Sequence, residues 1–141
     1  MYWIGIDCGE HTGLAVWDSI ERRLLKVETM PLHRAFGVVT VLWNLHPQNI
    51  RVVFEDARKR KYIPSERNVA EYRGKLMGAG AVKRDAKIWE EFLTDYDIPF
   101  IAQAPRAGLT KWNADYFARV TGWQGRTSEH SRDAALLVLN R

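Results

Sequence analysis

The sequence predicts an α/β chain: a five-stranded mixed sheet, three antiparallel strands followed by two parallel ones, flanked by helices. Three observations predict it. Tyr2–Asp7 (YWIGID) alternates and is rich in β-formers. Short runs of the same kind recur at Leu14–Asp18, Leu24–Met30, Arg51–Glu55 and Ile98–Gln103. Longer stretches with helical spacing separate or follow the later runs.

The elements follow in order. Tyr2–Asp7 is the first strand, Gly9 and Gly13 bracket a tight turn, and Leu14–Asp18 returns as the second. Leu24–Met30 completes an antiparallel meander. Ala35–Leu45 is apolar and β-branched, but Pro47 and Asn49 follow as stop signals, so it reads as a helix. Arg51–Glu55 (RVVFE) is a short buried-type strand, a candidate for parallel pairing with the first. The basic run Arg58–Lys61 follows, with Tyr62 and Pro64 breaking regular structure. From about Ser65, a candidate cap, to Tyr96 the pattern is helical, with Leu76, Val82, Trp89 and Leu93 among its apolar positions. Gly74, Gly78 and Gly80 weaken this helix in isolation and point to close packing. Ile98–Gln103 is the fifth strand, and Thr110–Thr121 and Ser128–Asn140 are closing helices separated by the turn Gly122–Arg126. The order is βββαβαβα with a last helix added. Trp3, Trp17, Trp43, Trp89, Trp112 and Trp123 are expected mostly in the core.

Bulk properties bound the function. The 141 residues fit one domain, 1–141, with one ordinary core. Hydrophobic residues at 46% and charged residues at 27% exclude a disordered or fibrous class. A net charge of +4 suits a nucleic-acid partner without requiring one. Cys8 is the only cysteine, which excludes an internal disulfide and a multi-cysteine zinc site. No apolar run is long enough to span a membrane, and Asp7 and Glu10 interrupt any signal-peptide pattern, so a cytoplasmic location is expected.

The chemistry lies at strand ends. Asp7 stands where the first alternation stops, and Glu55 ends the fourth strand after Val52, Val53 and Phe54. An Asp beside Gly is ordinarily a turn former. Two carboxylates at matching strand ends are another matter: if the strands are neighbours, the acids lie side by side. Their repulsion is most simply relieved by a divalent cation. Asp56 should point to the opposite face. On the last helix His130 and Asp133 are three apart and share a face that continues through Ala134 and Leu137, which makes it the core side. A histidine there is ordinarily a satisfied core residue or a neighbour of the helix cap, whereas an Asp among Ala and Leu needs a partner. Glu129 sits one turn before Asp133, so spacing leaves it open as an alternative ligand.

Together these residues resemble a known superfamily. Ile4-Gly5-Ile6-Asp7-Cys8-Gly9 with Thr12-Gly13, then Val53-Phe54-Glu55, then His130-Ser131-Arg132-Asp133-Ala134-Ala135 are similar in order and spacing to the RNase H-like proteins, and among them to the RuvC-type Holliday junction resolvases. Ala104-Pro105-Arg106, with Lys111 beyond it, also looks like the family pattern. The chain has Cys8 where the family commonly has Pro and ends soon after the last helix, so it is similar to the compact phage-type members.

The resemblance implies an RNase H-like nuclease whose active site is Asp7, Glu55, His130 and Asp133, a homodimeric state, and a DNA substrate. Two Mg²⁺ or Mn²⁺ ions would be bridged by Asp7, with Glu55 and Asp133 each holding one side. His130 would ligate metal when neutral or offset phosphate charge when protonated; both roles stay open. Arg58, Lys59, Arg60 and Lys61 emerge just after Glu55. Four consecutive cations are usually a solvated loop, but beside carboxylates that must attract a polyanion a phosphate clamp is expected. Arg106 and Lys111 would contact phosphates across the site. Gly74 and Gly78, at G-x-x-x-G spacing, would let two copies of the long helix approach. Rival readings are a YqgF-like RNase or other structure-specific nuclease of the same fold, a binding module without catalysis, and a sugar-kinase or actin-like ATPase. The last would need a second Gly-rich loop that the sequence does not contain.

Overall fold

A computed structural model describes residues 1–60, 69–106 and 111–141, with the backbone alone over 69–72. The elements are β1 (Tyr2–Asp7), β2 (His11–Asp18), β3 (Arg23–Pro31), α1 (Leu32–Leu45), β4 (Ile50–Glu55), a 3-10 turn (Ala57–Lys59), α2 (Val69–Asp95), β5 (Phe100–Gln103), α3 (Ala114–Thr121) and α4 (Glu129–Val138). Lys61, Tyr62, Pro64, Ser65 and Thr110 lie outside the described residues.

The strands form one mixed sheet in the order β3-β2-β1-β4-β5. β1 and β2 pair antiparallel, as do β2 and β3, while β4 runs parallel to β1 with Ile6 opposite Phe54. β5 runs parallel to β4, with Glu55 opposite Gln103. The predicted α/β class and strand directions are observed.

The period-2 alternation of β1 and β4 divides the sheet into two buried faces. Ile4, Ile6, Val52 and Phe54 face α1 and α2, where they pack with Val39, Trp89 and Leu93. Val53 faces the other way, with Ala15 and Trp17 of β2, and meets Ala134, Ala135 and Val138 of α4 and Phe117 of α3. Gly5 and Gly13 belong to this second face, because they alternate with Ile4, Ile6 and Leu14 and lie beside Ala15 and Asp7 in the register.

Four expectations need correction. Gly13 is a strand residue of β2, which begins at His11, so the turn is shorter than the predicted bracket of Gly9 and Gly13. α3 starts at Ala114 rather than Thr110, because the Asn113 side chain accepts a hydrogen bond from the Tyr116 backbone and fixes the first turn there. The glycines of α2 do not mark close packing: among the described residues a Cβ at Gly74, Gly78 or Gly80 would meet nothing within 4 Å. Only Trp17 and Trp89 are buried, whereas Trp3, Trp43, Trp112 and Trp123 are partly buried at the edges of the two cores. Among the described residues no helix is long and apolar enough to cross a membrane.

Candidate active site

The site is set by a close approach of helix to sheet. Ser128 and Ser131 form a reciprocal capping box that starts α4 at Glu129. The helix then lies on β1 and β2 so closely that a Cβ on Gly5 would stand 2.0 Å from the Ala134 carbonyl oxygen. One on Gly13 would stand 2.0 Å from that of His130. No side chain fits between these backbones, so two glycines hold the helix down.

Asp7 ends β1 on the α4 side, and this approach puts His130 above it. His130 Nδ1 and Asp7 Oδ2 are 2.8 Å apart. Glu55 ends β4, the strand beside β1, also on the α4 side by alternation. Asp133 lies one helical turn beyond His130. Asp7, Glu55, His130 and Asp133 line one pocket of about 340 Å³, so the structure brings the four sequence-predicted site residues together. The core-side reading of the His130–Asp133 face holds at Ala134 and Leu137, because α4 buries Ser131, Ala134, Ala135, Leu137 and Val138. His130 and Asp133 themselves stay at the edge of that face, their side chains 51% and 29% exposed. Asp133 accordingly has access both to solvent and to a cation.

That cation is Lys111, whose Nζ lies 3.3 Å from Asp133 Oδ2 and also pairs with Glu129. Glu129 is held below the usual carboxylate range by this ammonium. Arg60 and Arg106 line the same pocket. The basic run after Glu55 therefore divides. Arg58 turns away from the pocket: its Nε and Nη2 donate to Asp56 at 2.8 Å each, and its Nη1 donates to Glu90 of α2 at 2.7 Å. Lys59 Nζ donates to the Ala102 carbonyl at 2.6 Å. Among the described residues of the run, Arg58 is committed to a buried acid, and Lys61 lies outside them. Asp56 is 2% exposed, and its Arg58 hydrogen bonds hold it below the usual carboxylate range.

Asp7 and Glu55 shift in the direction opposite to Asp56 and Glu129. Burial raises the Asp7 carboxyl, the His130 contact pulls it back, and the charge of Asp133 raises it further. Burial also raises Glu55, with Asp7 adding to the rise and Arg60 opposing it. Cys8, buried on the other side of β1, is raised by burial and then by the charge of Asp7. Mutual repulsion among oxygen donors is the condition that a hard divalent cation relieves, and the donor chemistry suits Mg²⁺ or Mn²⁺. As the side chains stand, no group of three or more His, Cys, Asp or Glu among the described residues is arranged to hold a metal ion. His130 engages Asp7 and Lys111 engages Asp133 instead.

Sequence reasoning missed three contributors: Gly5 and Gly13, which seat α4, and the Asp56–Arg58–Glu90 strut, which anchors the segment leaving Glu55. Gly5 and Gly13 fall within the quoted motifs, but their role needs the helix that packs on them. In comparisons with known proteins, no protein-family model matches the chain and no curated protein matches it.

Proposed function

We propose that the chain is a metal-dependent endodeoxyribonuclease of the RNase H-like fold, similar to the RuvC-type junction resolvases. One observation carries the reading: acids from three separate elements, Asp7 of β1, Glu55 of β4 and Asp133 of α4, share one pocket with Arg60, Arg106 and Lys111. Carboxylates alone would repel a polyanion. Carboxylates ringed by cations suit a substrate whose phosphate arrives together with divalent metal.

Asp7, Glu55 and Asp133 are the residues that would hold the ions, and the mixed sheet places two of them on adjacent parallel strands. A bound Mg²⁺ or Mn²⁺ pair would supply a water of lowered pKa and charge stabilisation of the leaving oxygen. His130 orients the Asp7 carboxylate through its 2.8 Å contact and stands ready to share that oxygen or to face phosphate. Lys111 balances Asp133 in the free protein and is the group that must release it when the site fills. Arg60 and Arg106 draw the DNA backbone toward the pocket. A homodimer with a two-fold axis would supply the paired cuts that a four-way junction requires.

The test is cleavage of labelled four-way junction, flap, duplex and RNA substrates with Mg²⁺ or Mn²⁺ and with EDTA. Metal-dependent junction cleavage is expected. Cleavage restricted to RNA would move the reading to an RNase of the same architecture, and no metal-dependent cleavage of any substrate would overturn it.

A further inference from the structure

A second hollow of about 470 Å³ adjoins the acidic pocket and shares Lys111 with it. From it we infer a nucleotide subsite on α3 that accepts one unstacked base of a DNA strand, with Tyr116 as its platform; the inference rests on the nuclease reading above. Lys111, Trp112, Asn113, Asp115, Tyr116 and Arg119 line the hollow.

The wall is built rather than incidental. Phe117 is fully buried and pins α3 to the sheet. The segment leading into α3 is tied to α4: Arg132 Nε donates to the Trp112 carbonyl at 2.7 Å, and Arg132 Nη1 donates to the Thr127 hydroxyl at 3.0 Å. Arg132 precedes Asp133, so the hollow is held in register with the acidic pocket. Trp112 and Tyr116 meet edge to face with centroids 4.8 Å apart, which sets the Tyr116 ring while leaving the residue 41% exposed. The Arg119 guanidinium lies over the Tyr116 ring, 5.5 Å from its centroid, so a base on that face takes the place of this side chain.

Chemistry then selects the ligand. A bare phosphate would suit Lys111 and Arg119, but the Asp115 carboxylate lining the same hollow disfavours an isolated anion. Asn113 uses its oxygen on the Tyr116 backbone, which leaves its amide N–H groups to donate. An aromatic platform, one donor group, one acceptor group and two cations in a single hollow match a base together with its neighbouring phosphates. A strand with one phosphate among the acids would pass Lys111 and lay its neighbouring base on Tyr116. A stacked duplex does not present such a base, whereas a branch point or single strand does.

The experiment measures binding in EDTA, so it is independent of cleavage. Wild type, Tyr116→Ala, Tyr116→Phe and Arg119→Ala are titrated with a short labelled oligothymidylate and with an abasic strand of equal length, after melting curves establish that each variant folds. Tyr116→Ala should bind the oligothymidylate roughly 5- to 150-fold more weakly, the range of one base–aromatic stack, and Tyr116→Phe should retain binding. On the abasic strand Tyr116→Ala and wild type should be nearly equal. Arg119→Ala should lower the salt slope by about 0.7, one phosphate contact on a single strand. Equal losses on both strands, no loss with Tyr116→Ala, or no binding by wild type would overturn the subsite. Those results leave the nuclease reading to its own cleavage assay, and failure of that assay with the Tyr116 pattern intact would end the nuclease reading alone.

Discussion

A Cβ on Gly13 would stand 2.0 Å from the backbone oxygen of His130. The turn-side strand and the helix carrying half of the candidate site are therefore in backbone contact, and the position of His130 over Asp7 depends on a missing methyl group. Gly13→Ala should push α4 away and cost about 1–3 kcal/mol or more, the range for overpacking a rigid site. Gly37→Ala is the control, since its Cβ meets nothing within 4 Å on α1. That change should be neutral or stabilising by about 0.5–1 kcal/mol. Urea midpoints compare the two, and equal midpoints would show that α4 has room to move.

Arg58 and Arg60 are two residues apart yet should behave oppositely. Arg58→Ala strips Asp56, which is 2% exposed, of its partner. The loss of stability should be roughly 2–3 kcal/mol, below the 3–5 kcal/mol of fully buried pairs because Arg58 is itself 31% exposed. Asp56 is lowered by the pairing, so this contribution is present above the unfolded carboxylate range and is lost as pH falls through the folded value. Arg60→Ala should leave stability unchanged and reduce the salt slope of duplex binding by about 0.9. A slope lowered by Arg58→Ala instead would restore that residue to the phosphate contacts.

How much of this was legible depends on the range of the interaction. Asp7 and Glu55 stand out in the sequence because each ends an alternating apolar run, and β1 and β4 prove to be parallel neighbours. Their shared face with α4 follows from the same alternation. The start of α3 was misplaced because an apolar pattern does not locate a cap, whereas the Asn113 side chain does. The fate of Arg58 was not legible, since four consecutive cations look alike until α2 supplies Glu90 to one of them. The open glycines of α2 mislead for a related reason: composition reports that a Cβ is absent, not what would have met it.

The last prediction sets stability against function at Glu55. Burial and the Asp7 charge raise its carboxyl, so the ionised form is disfavoured in the folded protein. A group raised on folding contributes fully below its unfolded pKa, and that contribution is lost as pH rises through the folded value. Glu55→Gln does not titrate and escapes the loss. In EDTA the variant should therefore be more stable than wild type at neutral pH, and the difference should vanish as pH falls below the usual carboxylate range. Adding Mg²⁺ should reverse the order if Glu55 is a ligand, because an ion that binds only the folded wild type stabilises it by mass action. Cleavage should fall by at least about 10²-fold, the loss typical of one catalytic group. Thermal melts across pH, with and without Mg²⁺, read all of this except the rate. A pH-independent difference in EDTA would refute the burial argument, and equal Mg²⁺ stabilisation of both proteins would remove Glu55 from the metal ligands.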